Sequence, residues 1–553
     1  VIIIFLGTIL SVVPSVVFAQ QVNFFIDSSY DLQGRDEIEA VLLRETPKLY
    51  FYVEKDWWNN LNSYEQNSIR IANFNLGEEF QNKIYPRLTL TFGSEPKPGI
   101  DRDEKITVLI HPMIGDAGGY FRSGDLYSRF QYPESNEREM VYLSGTYIDK
   151  EIAKSFLAHE FMHLITLNQK DLKRGVVEET WLNEARAEYA PTFLGYDRDF
   201  DDSNLERRLK AFLENPNDSL TEWLNGRNDY GVINLFIQYL VDHYGIKTLS
   251  DSLDSSKIGI TSIDEALAKS GFRERFSQIF TDWTITLLVN DCSLGEKYCY
   301  KNLNLKKVKI IPESYFIPGT RESNIVLYGQ SKDWSARWQR FFGGQGDLTL
   351  KFIGSEGVSF RIPYVLCDST SKCSLGFLSQ NGSQNWELRV ADFGKNYSSL
   401  TVIPMLQNKL FGFGDKEPSY PFSFEVQTRE RKGNNSELVK QLLGQVAALK
   451  AEIARVQSQI EALSGKSSCF IGQNLYFGII NSDQVRCLQQ FLASQEGIYP
   501  EALITGNFLS LTQNAVLRFQ EKYKADILAD FGLSEGTGFV GERTRSKIQE
   551  LMR

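Results

Sequence analysis

Histidine is scarce in this chain, with four among 553 residues. A set of imidazole-rich metal sites is thereby excluded, and any two histidines that stand together carry weight. Cysteine is equally sparse at six, and neither CxxC nor HxxC spacing occurs, which excludes zinc-finger-type sites. Positive charge is in deficit, 60 Lys and Arg against 70 Asp and Glu for a net −10, which argues against nucleic acid as a partner. The acid-rich run from Asp197 to Glu206 lacks the glycine and the spaced glutamate of an EF-hand loop. It reads as a solvated connection, and calcium is left without support.

What is present begins with His159-Glu160-Phe161-Met162-His163, inside the apolar-periodic stretch Ile152 to Ile165 that predicts one helix. On a 3.6-residue helix the two imidazoles leave one face, one turn apart, and can grip a single ion. Glu160 stands about 100° around from His159, where a carboxylate can take a proton from a water at that ion. Such a string also arises by chance on amphipathic helices with surface histidines. Against that stands a third candidate ligand, Glu184, in the helical stretch Trp181 to Ala190. Glu188, one turn beyond, is placed to accept the free ring N–H of a ligating histidine. Three protein ligands leave a fourth position open, as catalytic rather than structural zinc requires.

These residues resemble the gluzincins, zinc peptidases with two histidines and a glutamate as ligands, and within them the hyicolysin family. Its pattern is similar to Ala158-His159-Glu160-Phe161-Met162-His163, Trp181-Leu182-Asn183-Glu184, Gly118-Gly119-Tyr120-Phe121 and Glu139-Met140-Val141-Tyr142-Leu143. The usual glutamine of the motif is Met162 here, a position that ligation does not need. The resemblance spans roughly residues 50–245. It implies an N-terminal subdomain of strands and helices, a helical second half, and a cleft between them over one catalytic Zn²⁺ held by His159, His163 and Glu184. Glu160 is then the base, and Tyr230 looks like the tyrosine that some gluzincins set over the tetrahedral intermediate. His243 and Tyr120 are weaker candidates for that role, and His111 reads as a surface or satisfied residue at a strand end.

Around this centre the chain divides. Residues 1–19 are almost wholly apolar and end in Val17-Phe18-Ala19, the pattern of a cleaved signal peptide, with an uncleaved anchor as the alternative. Residues 20–47 read as a short propeptide or as the first piece of the peptidase domain, which extends over 48–300. Alternating segments across 301–430, such as Leu348 to Ile353 and Trp386 to Val390, predict a β-sandwich that braces the peptidase or contacts protein. Across 433–465, Val439, Leu442, Val446, Leu449, Ile453, Val456, Ile460 and Leu463 form a heptad seam. It predicts a parallel homodimer, or else a stalk folded on its own domain. The close pairs Cys292/Cys299, Cys367/Cys373 and Cys469/Cys487 suggest disulfides and an oxidising compartment.

Residues 469–553 resemble the peptidoglycan-binding-domain-like family. The residues that carry this are Val485-Arg486-Cys487-Leu488-Gln489-Gln490-Phe491-Leu492, Thr505-Gly506-Asn507-Phe508, Ala515-Val516-Leu517-Arg518-Phe519-Gln520 and Gly538-Phe539-Val540-Gly541. Leu509-Ser510 stands where the common pattern has Gly-Pro. The resemblance implies a three-helix module that binds bacterial cell wall. The expected whole is multidomain α+β: a zincin domain, a β-sandwich, a short coiled coil and a small three-helix domain. Its expected function is an exported zinc endopeptidase, secreted or held at a bacterial envelope. The alternatives are a catalytically silent wall-binding or scaffold protein, or a peptidase of peptidoglycan cross-links.

Overall fold

The computed structural model describes residues 21–320, 322–381, 384–429, 435–463, 469–531, 533 and 535–552, with the side chains of 435–441 and 457–463 left out. The signal-peptide reading of residues 1–19 falls outside this range, as do the side chains of Val439, Ile460 and Leu463 of the heptad seam. The chain is α+β and forms two compact units, residues 1–437 and 438–553.

The first unit opens with a six-stranded sheet. Its strands are β1 (Gln21–Phe25), β2 (Glu37–Glu45), β3 (Leu49–Glu54), β4 (Ile106–His111), β5 (Gly119–Tyr120) and β6 (Met140–Ser144), in spatial order β1-β2-β3-β4-β6-β5. Only β3 with β4 and β4 with β6 are parallel. Residues 21–45, for which the sequence left propeptide or domain open, supply β1 and β2. Period-two alternation sorts the side chains into two cores. Leu49, Phe51, Val53, Val108, Ile110, Val141 and Leu143 face the helices, while Phe24, Ile38, Tyr52, Leu109 and Tyr142 pack on the other face.

The helices of this unit are α1 (Lys55–Asn60), α2 (Ser63–Glu79), α3 (Tyr85–Phe92), α4 (Ala153–Leu167), α5 (Thr180–Leu194), α6 (Asn204–Glu214), α7 (Arg227–Tyr244), α8 (Ile246–Leu253), α9 (Gly259–Lys269) and α10 (Phe276–Val289). A capping box starts α2, where Asn62 accepts from the amides of Tyr64 and Glu65 and Glu65 accepts from that of Asn62. Helix α4 is apolar nearly all round and is accordingly buried, packed between the sheet and α5. Lys170, just past α4, is fully buried and donates to the carbonyls of Ser252, Ser255 and Lys257, which ties this end of the site's scaffold to the α8–α9 connection.

Two five-stranded sheets follow. One runs, in spatial order, Ser379–Gln380, Asn385–Phe393, Gly346–Gly354, Tyr420–Arg429 and Glu322–Ser331; the other Cys373–Phe377, Pro363–Cys367, Ser399–Val402, Gln339–Phe342 and Glu313–Phe316. They share a core of Phe341, Leu350, Phe352, Leu400, Val402, Phe424 and Val426, the arrangement of a sandwich. Trp334, Trp338, Ile403 and Met405 leave that core and enter the one beneath α10, where Trp338 Nε1 donates to the Thr284 carbonyl at 2.9 Å. Gly412 N donates to Glu179 Oε1 at 2.9 Å, at the cap of α5.

In the second unit, helix 435–463 is continuous over 29 residues, and Leu442, Val446 and Ile453 of its seam are exposed. Helices Asp483–Ser494, Ser510–Lys522 and Glu542–Leu551 enclose a core of Leu488, Phe491, Phe508, Val516, Phe519, Val540 and Ile548. Two buried glutamines hold it in the same way. Gln489 accepts from the amides of Thr505 and Gly506 and donates to Thr512 Oγ1. Gln520 accepts from those of Thr537 and Gly538 and donates to Thr544 Oγ1. This internal repeat is legible in the sequence once the glutamine and the Thr-Gly pair are aligned. Disulfides join Cys292 to Cys299, Cys367 to Cys373 and Cys469 to Cys487.

Candidate metal centre and active site

His159, His163 and Glu184 converge. The two imidazole Nε2 atoms are 3.2 Å apart, and Glu184 Oε2 lies 3.3 Å from that of His159 and 3.6 Å from that of His163. Their ligand atoms all fall within 4.8 Å of one another, and among the described residues no other group of His, Cys, Asp or Glu converges so. Helix α4 places the imidazoles one turn apart, and the return through α5 brings the carboxylate. Glu184 Oε2 is buried and makes no hydrogen bond, although both ring nitrogens stand within ion-pair distance. A buried carboxylate oxygen without a donor is costly, and a cation between it and the two ring nitrogens meets that need. The donor set N, N, O suits zinc.

The ring nitrogens turned away from this point are fixed. His159 Nδ1 lies 3.3 Å from Glu188 Oε1 and His163 Nδ1 lies 3.1 Å from Asn183 Oδ1. Both neighbours are acceptors, so each ring keeps a proton on Nδ1, and a cation that displaced any second proton would meet the Nε2 lone pairs. Glu188 is held in turn by Arg208, through Nε at 2.9 Å and Nη2 at 2.6 Å, and by the amides of Asn204 and Asn234, each at 3.0 Å. Sequence reading placed Glu188 here but missed Asn183, Asn204, Arg208 and Asn234. Asn183 lay inside a motif already in view; the other three stand 16 to 46 residues from Glu188 and left no local signal.

The electrostatics describe a pocket poised for a cation. Burial opposes charge on His159, yet Glu184 and Glu188 outweigh it and hold the ring up to about 10. Burial likewise opposes ionisation of Glu184, while His163 and His159 hold it down to about 2. Glu160 is pushed up to about 7 by burial, against the pull of both histidines. A dication bound here would take the place of the protons that these carboxylates draw onto the rings.

Glu160 lies under edge strand β5. A Cβ on Gly119 would stand 3.0 Å from Glu160 Cγ and Oε1 and 2.6 Å from the Tyr142 carbonyl oxygen, so the close approach requires glycine. Two cavities of ≈ 400 Å³ each flank the centre and share Tyr30, Gly119, His159, Glu160 and Tyr230 in their walls. Tyr230 packs edge-on against Trp223, its ring centre 6.5 Å from that of His159, and its hydroxyl donates to Asn225 Oδ1 at 3.3 Å. Tyr30, which sequence reading did not single out, heads a stack with Tyr120 and Tyr142.

The other two histidines stand apart from this centre. His111 is fully buried and bonded to Tyr120 Oη and the Pro112 carbonyl, and burial pulls its ring down to about 4. His243 bonds the Cys299 carbonyl at the far end of α7 from Tyr230 and lines neither cavity. In the acid-rich run, the Asp197 carboxylate is taken up by the Thr192 hydroxyl and the Leu205 amide.

No protein-family model matches the chain. Small parts resemble the pre-peptidase C-terminal domain of a Bacillus anthracis collagenase (11% identity, TM-score 0.15, 21% of this chain and 96% of that one) and the lysozyme inhibitor PliG of Aeromonas hydrophila (10%, TM-score 0.14, 21% and 97%). Scores this low bear on neither fold nor function. An alignment 192 residues long, covering 30% of this chain, is 32% identical to the neutral metalloprotease ShpI of Staphylococcus hyicus. The chain spans 41% of the length of that relative. Over that part, the protein is related to a metalloprotease.

Proposed function

We propose that this protein is a zinc-dependent endopeptidase that works outside a bacterial cell. The observation that carries the reading is the convergence of His159, His163 and the buried Glu184 oxygen beside Glu160. Zn²⁺ bound there supplies Lewis acidity to a peptide carbonyl and makes water a nucleophile near neutral pH. Glu160 takes the proton of the attacking water and returns it to the leaving nitrogen. Tyr230, in the wall of both cavities, is the candidate donor to the oxyanion. A peptide in extended form can pair with the free edge of β5 and so lie across Glu160. An intact base favours turnover over a silent scaffold, since binding alone has no need of Glu160.

Three disulfides suit an oxidising compartment. Among the described residues no helix is long and apolar enough to cross a membrane. We assign wall attachment to residues 469–553 and self-association to the helix 435–463; both rest on sequence pattern. The test is zinc content with casein hydrolysis, on the purified chain and its Glu160→Gln variant, with and without chelator. One zinc in both proteins, with turnover in the parent falling roughly 10²–10⁴-fold in the variant, supports the assignment. A chain that takes up no zinc overturns it.

A further inference from the structure

Adjacent arginines on α6 have different fates. Arg208 is committed, clasped by both oxygens of Glu188. Arg207, about 100° around the helix, turns into the cavity of ≈ 400 Å³ on one side of the metal centre, which also contains His159, Glu160 and Phe156. There its guanidinium makes no hydrogen bond or ion pair with any described residue, and its one ring contact is the face of Phe156 at 5.4 Å. The anions nearby do not answer it. Glu188 is already occupied by Arg208, Asn204, Asn234 and His159. Asp116 is exposed at the rim and stands 3.9 Å from Arg227.

A half-buried guanidinium that faces an open cavity with five donors and no protein acceptor is available to a group of the substrate. Burial and the neighbouring Arg208 charge also pull Arg207 down from its ordinary value. A carboxylate entering the cavity would form a planar, two-pronged pair with it.

Resting on the peptidase reading, we propose that Arg207 is a specificity-determining residue that receives a carboxylate of the substrate next to the scissile bond. An aspartate or glutamate side chain and the α-carboxylate of a chain end share this chemistry. His159 and Glu160 line the same cavity as Arg207, so the selected group lies within one or two residues of the bond that breaks.

The test uses quenched fluorescent peptides with Asp, Glu, Asn, Leu or Lys on either side of one scissile bond, with amidated C-termini. A second set ends in a free carboxylate just beyond that bond. The zinc-loaded full chain is expected to favour Asp or Glu over Asn by roughly 10- to 100-fold in kcat/KM. Arg207→Ala should erase the preference, Arg207→Lys should keep part of it, and Arg207→Glu should turn it toward Lys. If only the free-carboxylate set depends on Arg207, the site reads chain ends. Equal cleavage of acidic and neutral peptides, or a preference that survives Arg207→Ala in a variant of unchanged melting temperature, overturns the inference. Binding of the same peptides to Glu160→Gln, with and without Arg207→Ala, is followed by fluorescence anisotropy. Binding that depends on both the acid and Arg207, where the parent cuts nothing, upholds the carboxylate site and sinks the peptidase reading. Neither binding nor cleavage of acidic peptides overturns both.

Discussion

Glu188 joins the metal centre to the hydrophobic interior, and two of its four partners, His159 and Arg208, separate its two jobs. As acceptor for His159 Nδ1 it orients a ligand; as partner of Arg208 it neutralises a buried cation. Glu188→Gln is expected to weaken zinc by roughly 10- to 100-fold, read by competition with a chelating dye. Glu188→Ala should in addition cost about 3–5 kcal/mol of stability, read by denaturant unfolding, because Arg208 is left buried and unpaired. Away from the centre, Glu139 is pushed up to about 7 by burial, with the Gly99 backbone pressed against its carboxylate. Between its ordinary 4.5 and 7 the folded chain keeps a proton that the unfolded chain has lost, so this group lowers stability as pH rises through that window. Glu139→Gln should therefore melt like the parent near pH 4 and above it near pH 8, as calorimetry can check. The pair His159 and His163 with Glu160 was legible because one helical turn sets their relation. The cage of Asn204, Arg208 and Asn234 was not, because it forms only when α5, α6 and α7 pack.

At the scale of elements, the site depends on how closely β5 overlies α4. Gly119→Ala puts a methyl group against Glu160 and the Tyr142 carbonyl, and one of them must yield. Activity on a peptide substrate is expected to fall about 10²-fold while zinc content holds, since a shift of about 1 Å at the base suffices. Strand periodicity read the sheets well, as with Leu348 to Ile353 and Trp386 to Val390, each inside an observed strand. It could not say which strand neighbours which, and β5, only two residues long, carries no period at all. Only the family resemblance marks Gly118-Gly119 in the sequence; the Phe156 ring against Gly118 and Glu160 against Gly119 supply the physical reason.

For the first unit as a whole, the division near residue 300 that composition suggests does not coincide with a break in packing. Trp334, Trp338 and Met405 belong to the core of the helical half, and Glu222 binds both the Lys332 side chain and the Glu417 amide. A fragment ending near residue 310 is expected to lose its near-ultraviolet circular dichroism and its casein hydrolysis, whereas one ending near 430 keeps both. A sequence cannot announce this, since a tryptophan that fills one core reads the same as one that fills the next.

The disulfides span 7, 6 and 18 residues. Each bridge thus closes a short loop, which costs the unfolded chain less entropy than joining distant thiols. Nearness along the chain and the finished fold therefore favour the same partners. Wherever the thiols meet an oxidant, the native pairs start with an advantage over mispaired ones.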